Sequence, residues 1–221
     1  ARQAGCDVLF NPGGSDASRF KPIVSMSQNM LPFEWLEMRR YGWSLNLLKF
    51  LLLRSTQTHS FRKADGVIYL TQYAHDSVLK VTGPQRGMTA IIPHGINARF
   101  SLSPRPQRGP SDFSDASPCR VLYVSIIDKY KHQWEVAEAV ARLRSKGGNV
   151  VLELVGPPAA GMSQLKTTLN RLDPKGAFIT YRGAVPYEKL DECYASADIC
   201  VFASSCENMP NILIEGMAAG L

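Results

Sequence analysis

The chain has 221 residues, 45% hydrophobic and 20% charged, which excludes a disordered or fibrous protein and leaves room for one large domain or two small ones. The net charge of +6 is unevenly placed: residues 1–110 hold 14 Lys/Arg against 6 Asp/Glu, and residues 111–221 hold 11 against 13. A basic half and a slightly acidic half imply two modules with different partners.

The apolar run 45–53 contains Lys49 and is far shorter than the roughly 20 residues that cross a bilayer, so no transmembrane helix is expected. Ala1-Arg2-Gln3 lacks an initiator Met and a signal peptide, and Met217 to Leu221 breaks off inside an apolar pattern. Both ends read as cut, so the sequence is expected to be an internal fragment, inactive alone. Five Cys without a CxxC pair and four His without ligand spacing point to free thiols in a reducing cytoplasm and to no metal site.

In chain order, residues 8–10 and 23–25 read as strands. The turn from Asn11 to Asp16 between them lacks dinucleotide-fingerprint spacing. Residues 31 to about 61 read as mostly helical, 66–71 as a strand, 73–81 as a helix and 89–93 as a strand. Residues 101–118, with Pro104, Pro106, Pro110 and Pro118, read as a linker. Beyond it, strands at 121–125, 150–155, 177–181 and 198–203 alternate with helices at 133–144, 163–172 and from 186, and a last helix starts at Pro210 and runs to Leu221. Strands that are apolar at nearly every position, alternating with helices, indicate α/β architecture: parallel sheets covered on both faces, with ligands at the carboxyl ends of the strands. The expected layout is one Rossmann-like domain over 1–100, a linker over 101–118 and the start of a second such domain over 119–221.

The most informative segment is Ser204-Ser205-Cys206-Glu207-Asn208-Met209-Pro210-Asn211-Ile212-Leu213-Ile214-Glu215-Gly216-Met217. Pro210 at a helix start leaves the amides of Asn211 and Ile212 without intrahelical partners. Such amides at a positive helix end suit an anion such as a diphosphate. Glu215, eight residues beyond Glu207, can face a ribose diol while Glu207 stays near a reacting centre. On spacing alone, both carboxylates are equally explained as electrostatic partners of the helix end.

Glu207 and Glu215 reproduce the E-x7-E pattern, and the chain resembles the retaining glycosyltransferases of the GT-B fold in glycosyltransferase family 4 (group 1). Three further stretches agree in order. Ile92-Pro93-His94-Gly95-Ile96-Asn97-Ala98-Arg99-Phe100 is similar to the family's PxG(V/I)(D/N)xxxF motif. Val121 to Ser125 with Tyr130-Lys131 resembles the strand and basic loop that open the donor domain. Gly183-Ala184-Val185-Pro186-Tyr187 and Tyr194-Ala195-Ser196-Ala197-Asp198 resemble the next landmarks. The resemblance implies metal-independent sugar transfer from a nucleotide sugar, with no cofactor beyond that co-substrate. By the same carry-over Lys131, Ser125, Asn211 and Ile212 face the diphosphate, Glu215 holds the ribose, Gly183 to Val185 line the base pocket, and Glu207 sits beside the transferred sugar. Spacing leaves Glu207 open as nucleophile or as stabiliser of an oxocarbenium-like transition state; the second role is preferred. The departures are Ser125-Ile126, where the family has Gly-Arg, and His132, where it has Gly after the Lys.

On the acceptor side Gln28, Asn29 and Glu34 resemble a loop that faces the acceptor in relatives, with Gln28 where a His is usual; a polar turn before a helix explains them equally well. The basic, aromatic segment from Arg39 to Lys63 suggests peripheral contact with an anionic membrane holding lipid-linked acceptors, the competing view being a helix with one buried face. Dispersed cations without a nucleic-acid motif argue against RNA or DNA. The expectation is therefore a cytoplasmic glycosyltransferase extending a glycan or glycolipid in cell-surface polysaccharide or lipopolysaccharide biosynthesis. The alternatives are an epimerase-like nucleotide-sugar enzyme and a non-catalytic nucleotide-sugar-binding module.

Overall fold

The computed structural model describes residues 5–221; Ala1, Arg2 and Gln3 lie outside them. The chain divides into two units, Ala1–Gly95 with Cys206–Met209, and Ile96–Ser205 with Pro210–Leu221.

The first unit holds the strands β1 (Leu9–Asn11), β2 (Ile23–Ser27), β3 (Gly66–Tyr69) and β4 (Met88–Ile91), all parallel, in the order β1-β2-β3-β4. The stretch read as one mostly helical region is three pieces: a 3-10 turn over Leu31–Phe33, α1 (Trp35–Arg39) and α2 (Leu45–Lys63). Gly42, at φ +59, breaks the chain between the last two, and Ser44 caps α2 by accepting from the Leu47 amide at 3.4 Å. Helix α3 (Gln72–Thr82) is capped by Thr71, which accepts from the Ala74 amide, and ends at Gly83 with φ +69. Phe33, Met38, Phe50, Phe61, Val67, Tyr69 and Val78 are among the buried side chains of this unit.

The second unit has β5 (Cys119–Val124), α4 (Gln133–Ser145), β6 (Val150–Val155), α5 (Met162–Leu172), β7 (Ile179–Gly183), α6 (Leu190–Ser196), β8 (Ile199–Cys200) and α7 (Asn211–Ala218). Its sheet is parallel, in the order β7-β6-β5-β8, and it is covered by two apolar clusters, one around Tyr123, Trp134, Leu152, Leu154 and Leu165, the other around Phe100, Leu122, Val155 and Tyr194. The alternation of strand and helix thus produces the two doubly wound layers that the apolar pattern indicated.

Four details differ from the sequence reading. The boundary falls after Gly95, and the proline-rich segment belongs to the second unit. Phe100 is fully buried there, Arg105 donates to the carbonyls of Ala195 and Ala197, and Gln107 donates to the Gly220 carbonyl at 3.1 Å. Strand β7 starts two residues late because the Asp173 carboxylate takes the amides of Ala177, Phe178 and Ile179, each at 2.7 Å. Strand β8 is only two residues long, pairing with β5 through Ile199 and Cys200. Helix α7 stops at Ala218: Gly220, at φ +79, donates to the Met217 carbonyl and Leu221 to the Gly216 carbonyl, the paired bonds of a glycine-terminated helix end.

Candidate functional site

In the second unit the expected donor residues lie at the carboxyl ends of the strands. Ser125, directly after β5, donates its amide to Val155; Gly156, directly after β6, donates to Gly183 at the end of β7. Both bonds are 2.8 Å long, so three adjacent strand ends are laced together. The lacing demands glycine at 156: its φ is +147, and a Cβ there would lie 1.9 Å from the Ser125 carbonyl oxygen. Gly183 also takes a positive φ, +77, but with open space around it.

Lys131 closes a 3-10 turn, Lys129–Lys131, after β5. Only 5% of it is exposed, and its Nζ lies 4.9 Å from the Tyr130 ring centre and 5.6 Å from that of Phe202. Ring faces attract a cation and compensate part of its lost hydration. The buried Tyr123 hydroxyl fixes the same turn by donating to the Lys131 carbonyl at 2.6 Å. The next residue, His132, has φ 56 and ψ 31, the left-handed conformation that glycine adopts freely. That conformation supplies a physical reason for a Gly after the Lys. His132 holds it with Nε2 at 2.9 Å from Ser205 Oγ and Nδ1 at 3.3 Å from Glu135. Ile126, in the position of the absent Arg, is partly exposed and brings no charge.

Glu215 has the most developed surroundings. It is 3% exposed, on the second turn of α7. The Tyr194 hydroxyl is 3.1 Å from Glu215 Oε2 and 3.2 Å from the Ile212 carbonyl, Tyr187 also hydrogen-bonds the carboxylate, and the charge of Arg99 is nearby. Arg99 stacks on the Tyr187 ring at 4.2 Å, and its Nε is buried without a hydrogen-bond partner among the described residues. Burial raises the Glu215 carboxyl above its ordinary value of 4.5, outweighing the two phenol bonds and the Arg99 charge, which act the other way. Burial and the adjacent carboxylate likewise push the Tyr194 phenol far up. Three motif stretches recognised separately in the sequence therefore meet around one carboxylate: Arg99 and Phe100 from the first, Tyr187 and Tyr194 from the later two. Tyr187, Tyr194 and Arg99 were not among the residues singled out; a polar residue inside each apolar landmark was the available signal.

Pro210 is the cap of α7 rather than its first residue, and its carbonyl accepts from Leu213 and Ile214. The amides of Asn211 and Ile212 stay outside the intrahelical ladder, as at any helix start. Val185 and Ile212 pack against the cluster containing Phe100 and Tyr194.

The remaining candidates belong to the first unit. Glu207, half-buried, lies in Cys206–Met209. That segment is held by Asn208, which donates to the Ser27 carbonyl at 2.7 Å and accepts from Thr71 at 3.3 Å, and by Met209, whose sulfur accepts from the His94 amide. Gln28 is exposed, Asn29 accepts from the Leu31 amide at 3.1 Å as a turn former does, and Glu34 accepts from the Tyr73 hydroxyl. The Glu34 bond is the leading reason that the Tyr73 phenol is raised. All five cysteines are free thiols. Among the described residues no three His, Cys, Asp or Glu side chains gather as a metal site needs, and no helix is long and apolar enough to cross a membrane.

Residues 118–221 match the family described as Glycosyl transferases group 1. No curated protein matches the sequence. Among solved structures, HepE of Anabaena in complex with UDP-glucose is similar at TM-score 0.65 and 19% identity, over 90% of this chain and 51% of that one. Sucrose-phosphate synthase from Thermosynechococcus elongatus is similar at 0.67 and 21%, over 91% and 49%. The pneumococcal O-GlcNAc transferase GtfA, in complex with UDP and GlcNAc, is similar at 0.61 and 16%, over 90% and 36%. The fold is thus GT-B, with each sheet a Rossmann-like domain, and the chain spans about half or less of these structures.

Proposed function

We propose that the protein transfers a sugar, with retention and without a metal, from a nucleotide-sugar donor to a glycan or glycolipid acceptor at the cytoplasmic face of an anionic membrane. The observation that carries this reading is the convergence of Arg99, Tyr187 and Tyr194 on the buried Glu215, one helical turn behind the α7 amides. A carboxylate has about four lone-pair directions; two phenols leave some for a ribose diol. When the bond from the sugar to the diphosphate breaks, negative charge grows on the diphosphate, and donors fixed in advance around it lower the barrier. Asn211, Ile212 and Lys131 take that task, with Ser125 beside them, while residues 183–185 face the base. Glu207 steadies the positive charge developing on the transferred sugar, and Gln28, Asn29 and Glu34 serve the acceptor. HepE and GtfA hold UDP, so a uridine nucleotide is the first donor to test.

In calorimetry, Glu215→Gln and Lys131→Met should each weaken UDP binding by about tenfold or more, as loss of a charged hydrogen bond does. Glu207→Gln should bind UDP normally and abolish transfer. Unchanged UDP affinity in both binding variants removes the donor assignment. Conversion of a labelled nucleotide sugar without acceptor would favour an epimerase instead. Ile126 in place of the family's Arg favours a second reading, a binding module without turnover; UDP binding with no transfer to any acceptor supports it.

A further inference from the structure

Helix α2 is apolar on both faces over its first three turns, with Phe50 buried and Leu45, Leu48 and Leu52 exposed. Its inner face buries Phe50, Gln57, Ser60 and Phe61, and two of these four are polar because they hold the turn after β1. Gln57 Nε2 donates to the Gly13 carbonyl at 3.3 Å, and Ser60 Oγ accepts from the Asp16 amide at 2.8 Å. The outer face, at i, i+3 and i+7 spacing, carries Leu45, Leu48 and Leu52, with Leu45 85% exposed. Trp43, just before the helix, is fully exposed; α1 adds Trp35 and the 73% exposed Leu36. Scattered exposed leucines need no explanation, but seven exposed large apolar side chains within residues 35–52, Leu51 included and two of them indoles, mark a surface that another apolar phase covers.

Charge identifies that phase. Residues 35–63 contain six Lys/Arg and one carboxylate, Glu37. Glu37 is buried and already paired with Arg40 at 2.6 Å. Arg39 and Lys49 are exposed beside the apolar residues. Indoles and leucines interspersed with cations suit the boundary between acyl chains and anionic headgroups. A second copy packed symmetrically on this face would instead bring the same cations together.

We propose that the surface formed by Trp43, Leu45, Leu48 and Leu52, with Arg39 and Lys49, docks the protein on an anionic lipid bilayer. This rests on the membrane contact proposed above and names the residues that make it. The helix preceding a parallel strand runs antiparallel to it, so the amino end of α2 lies at the carboxyl ends of the first sheet's strands. Gln28 and Asn29, directly after β2, lie at that same end, so a bilayer here would present a lipid-linked hydroxyl to the acceptor residues.

The test is partition of the intact protein into vesicles of phosphatidylcholine alone or with phosphatidylglycerol. Trp43→Ser combined with Leu45→Ser is compared with the unsubstituted protein, and folding is checked by circular dichroism. The protein should sediment with the anionic vesicles only and be released by salt, and the double variant should lose about tenfold or more in partition. Brominated lipid should quench tryptophan emission, and Trp43→Phe should lose part of that quenching; buried Trp134 contributes none. Absence of partition, equal partition into zwitterionic vesicles, or undiminished binding by the folded double variant overturns the proposal. So does concentration-dependent dimerisation that the substitutions abolish, which assigns the face to a second copy. None of these readouts depends on sugar transfer, so failure here and failure of the glycosyltransferase reading are distinguishable.

Discussion

The Tyr194 hydroxyl donates to Glu215 Oε2 at 3.1 Å, and both residues are buried. Burial alone leaves Glu215 poorly disposed to ionise, and the phenol is one of the groups that oppose that tendency. Tyr194→Phe keeps the ring, packed edge-on to Phe100 at 5.7 Å, and removes only the donor. The variant should lose about 1–3 kcal/mol, the cost of leaving a buried acceptor unsatisfied. Its Glu215 carboxyl, already above 4.5, rises further. Because the lost bond matters most to the ionised form, the deficit should be smallest while Glu215 is protonated and grow as pH rises above 4.5 through its raised folded-state range. Urea unfolding at several pH values measures both effects; a deficit independent of pH would mean that the phenol supports packing alone.

The elements that surround Glu215 were legible because helix and strand periodicity fix where each motif lands. Val121 to Ser125 read as a buried strand and Pro210 as a helix start, which placed the amides of Asn211 and Ile212. Glu215 was singled out by the family resemblance, its spacing from Glu207 being equally explained by the helix end. What periodicity does not encode is side-chain reach across elements. Tyr187 and Tyr194 stood in the sequence only as members of two landmarks with no role of their own, yet both act on a carboxylate some twenty or more residues away in sequence. The proline-rich segment misled for a similar reason: its composition signals irregular backbone, not detachment, and Arg105 and Gln107 bind it to carbonyls of α6 and the end of α7. The segment from Arg39 to Lys63 left two readings open, a membrane-facing surface and a helix with one buried face, because Leu45 and Phe50 are equally apolar and only the fold decides which faces inward.

Asp173 tests a small device with a large lever. Burial raises its carboxyl, but amide bonds from Phe178, Ala177 and Ile179 together outweigh that and hold it below 3.8. Asp173→Asn keeps the shape and turns an amide group toward three N–H donors, so it should destabilise by about 2–4 kcal/mol. A depressed folded-state value means that the carboxylate's contribution is complete above the unfolded value and is lost as pH falls below it. The gap between the original protein and Asp173→Asn should therefore narrow in acid, starting near 3.8. A constant gap from neutral pH to strong acid would contradict the account.

Gly156 and Gly183 make an internal comparison, since both have positive φ but different surroundings. Gly183→Ala meets no atom within 4 Å and should cost only the backbone penalty, about 1–2 kcal/mol. Gly156→Ala puts its methyl 1.9 Å from the Ser125 carbonyl oxygen, so β5 and β6 must part. The cost should exceed about 3 kcal/mol, and UDP binding should fall with it while Gly183→Ala retains a folded, measurable protein. Equal stabilities by thermal unfolding would show that the strand ends are not laced as described.

His132 supplies the last prediction, because the left-handed backbone there can be separated from the side chain's contacts. A β-branched residue at φ 56 suffers both the left-handed penalty and a clash at Cβ, so His132→Val should lose about 2–3 kcal/mol. His132→Gly removes the penalty but forfeits the partly exposed contacts to Ser205 and Glu135, two terms of about 1 kcal/mol each and of opposite sign. The expected order of unfolding midpoints is therefore Gly close to His, with Val well below. The Gly variant should keep Lys131 in place through the Tyr123 bond, which uses only the Lys131 carbonyl, and so should bind UDP as the original protein does. A Val variant as stable as the original would show that the turn can relax out of the left-handed region, and Lys131 would then owe its position to something other than the backbone at 132.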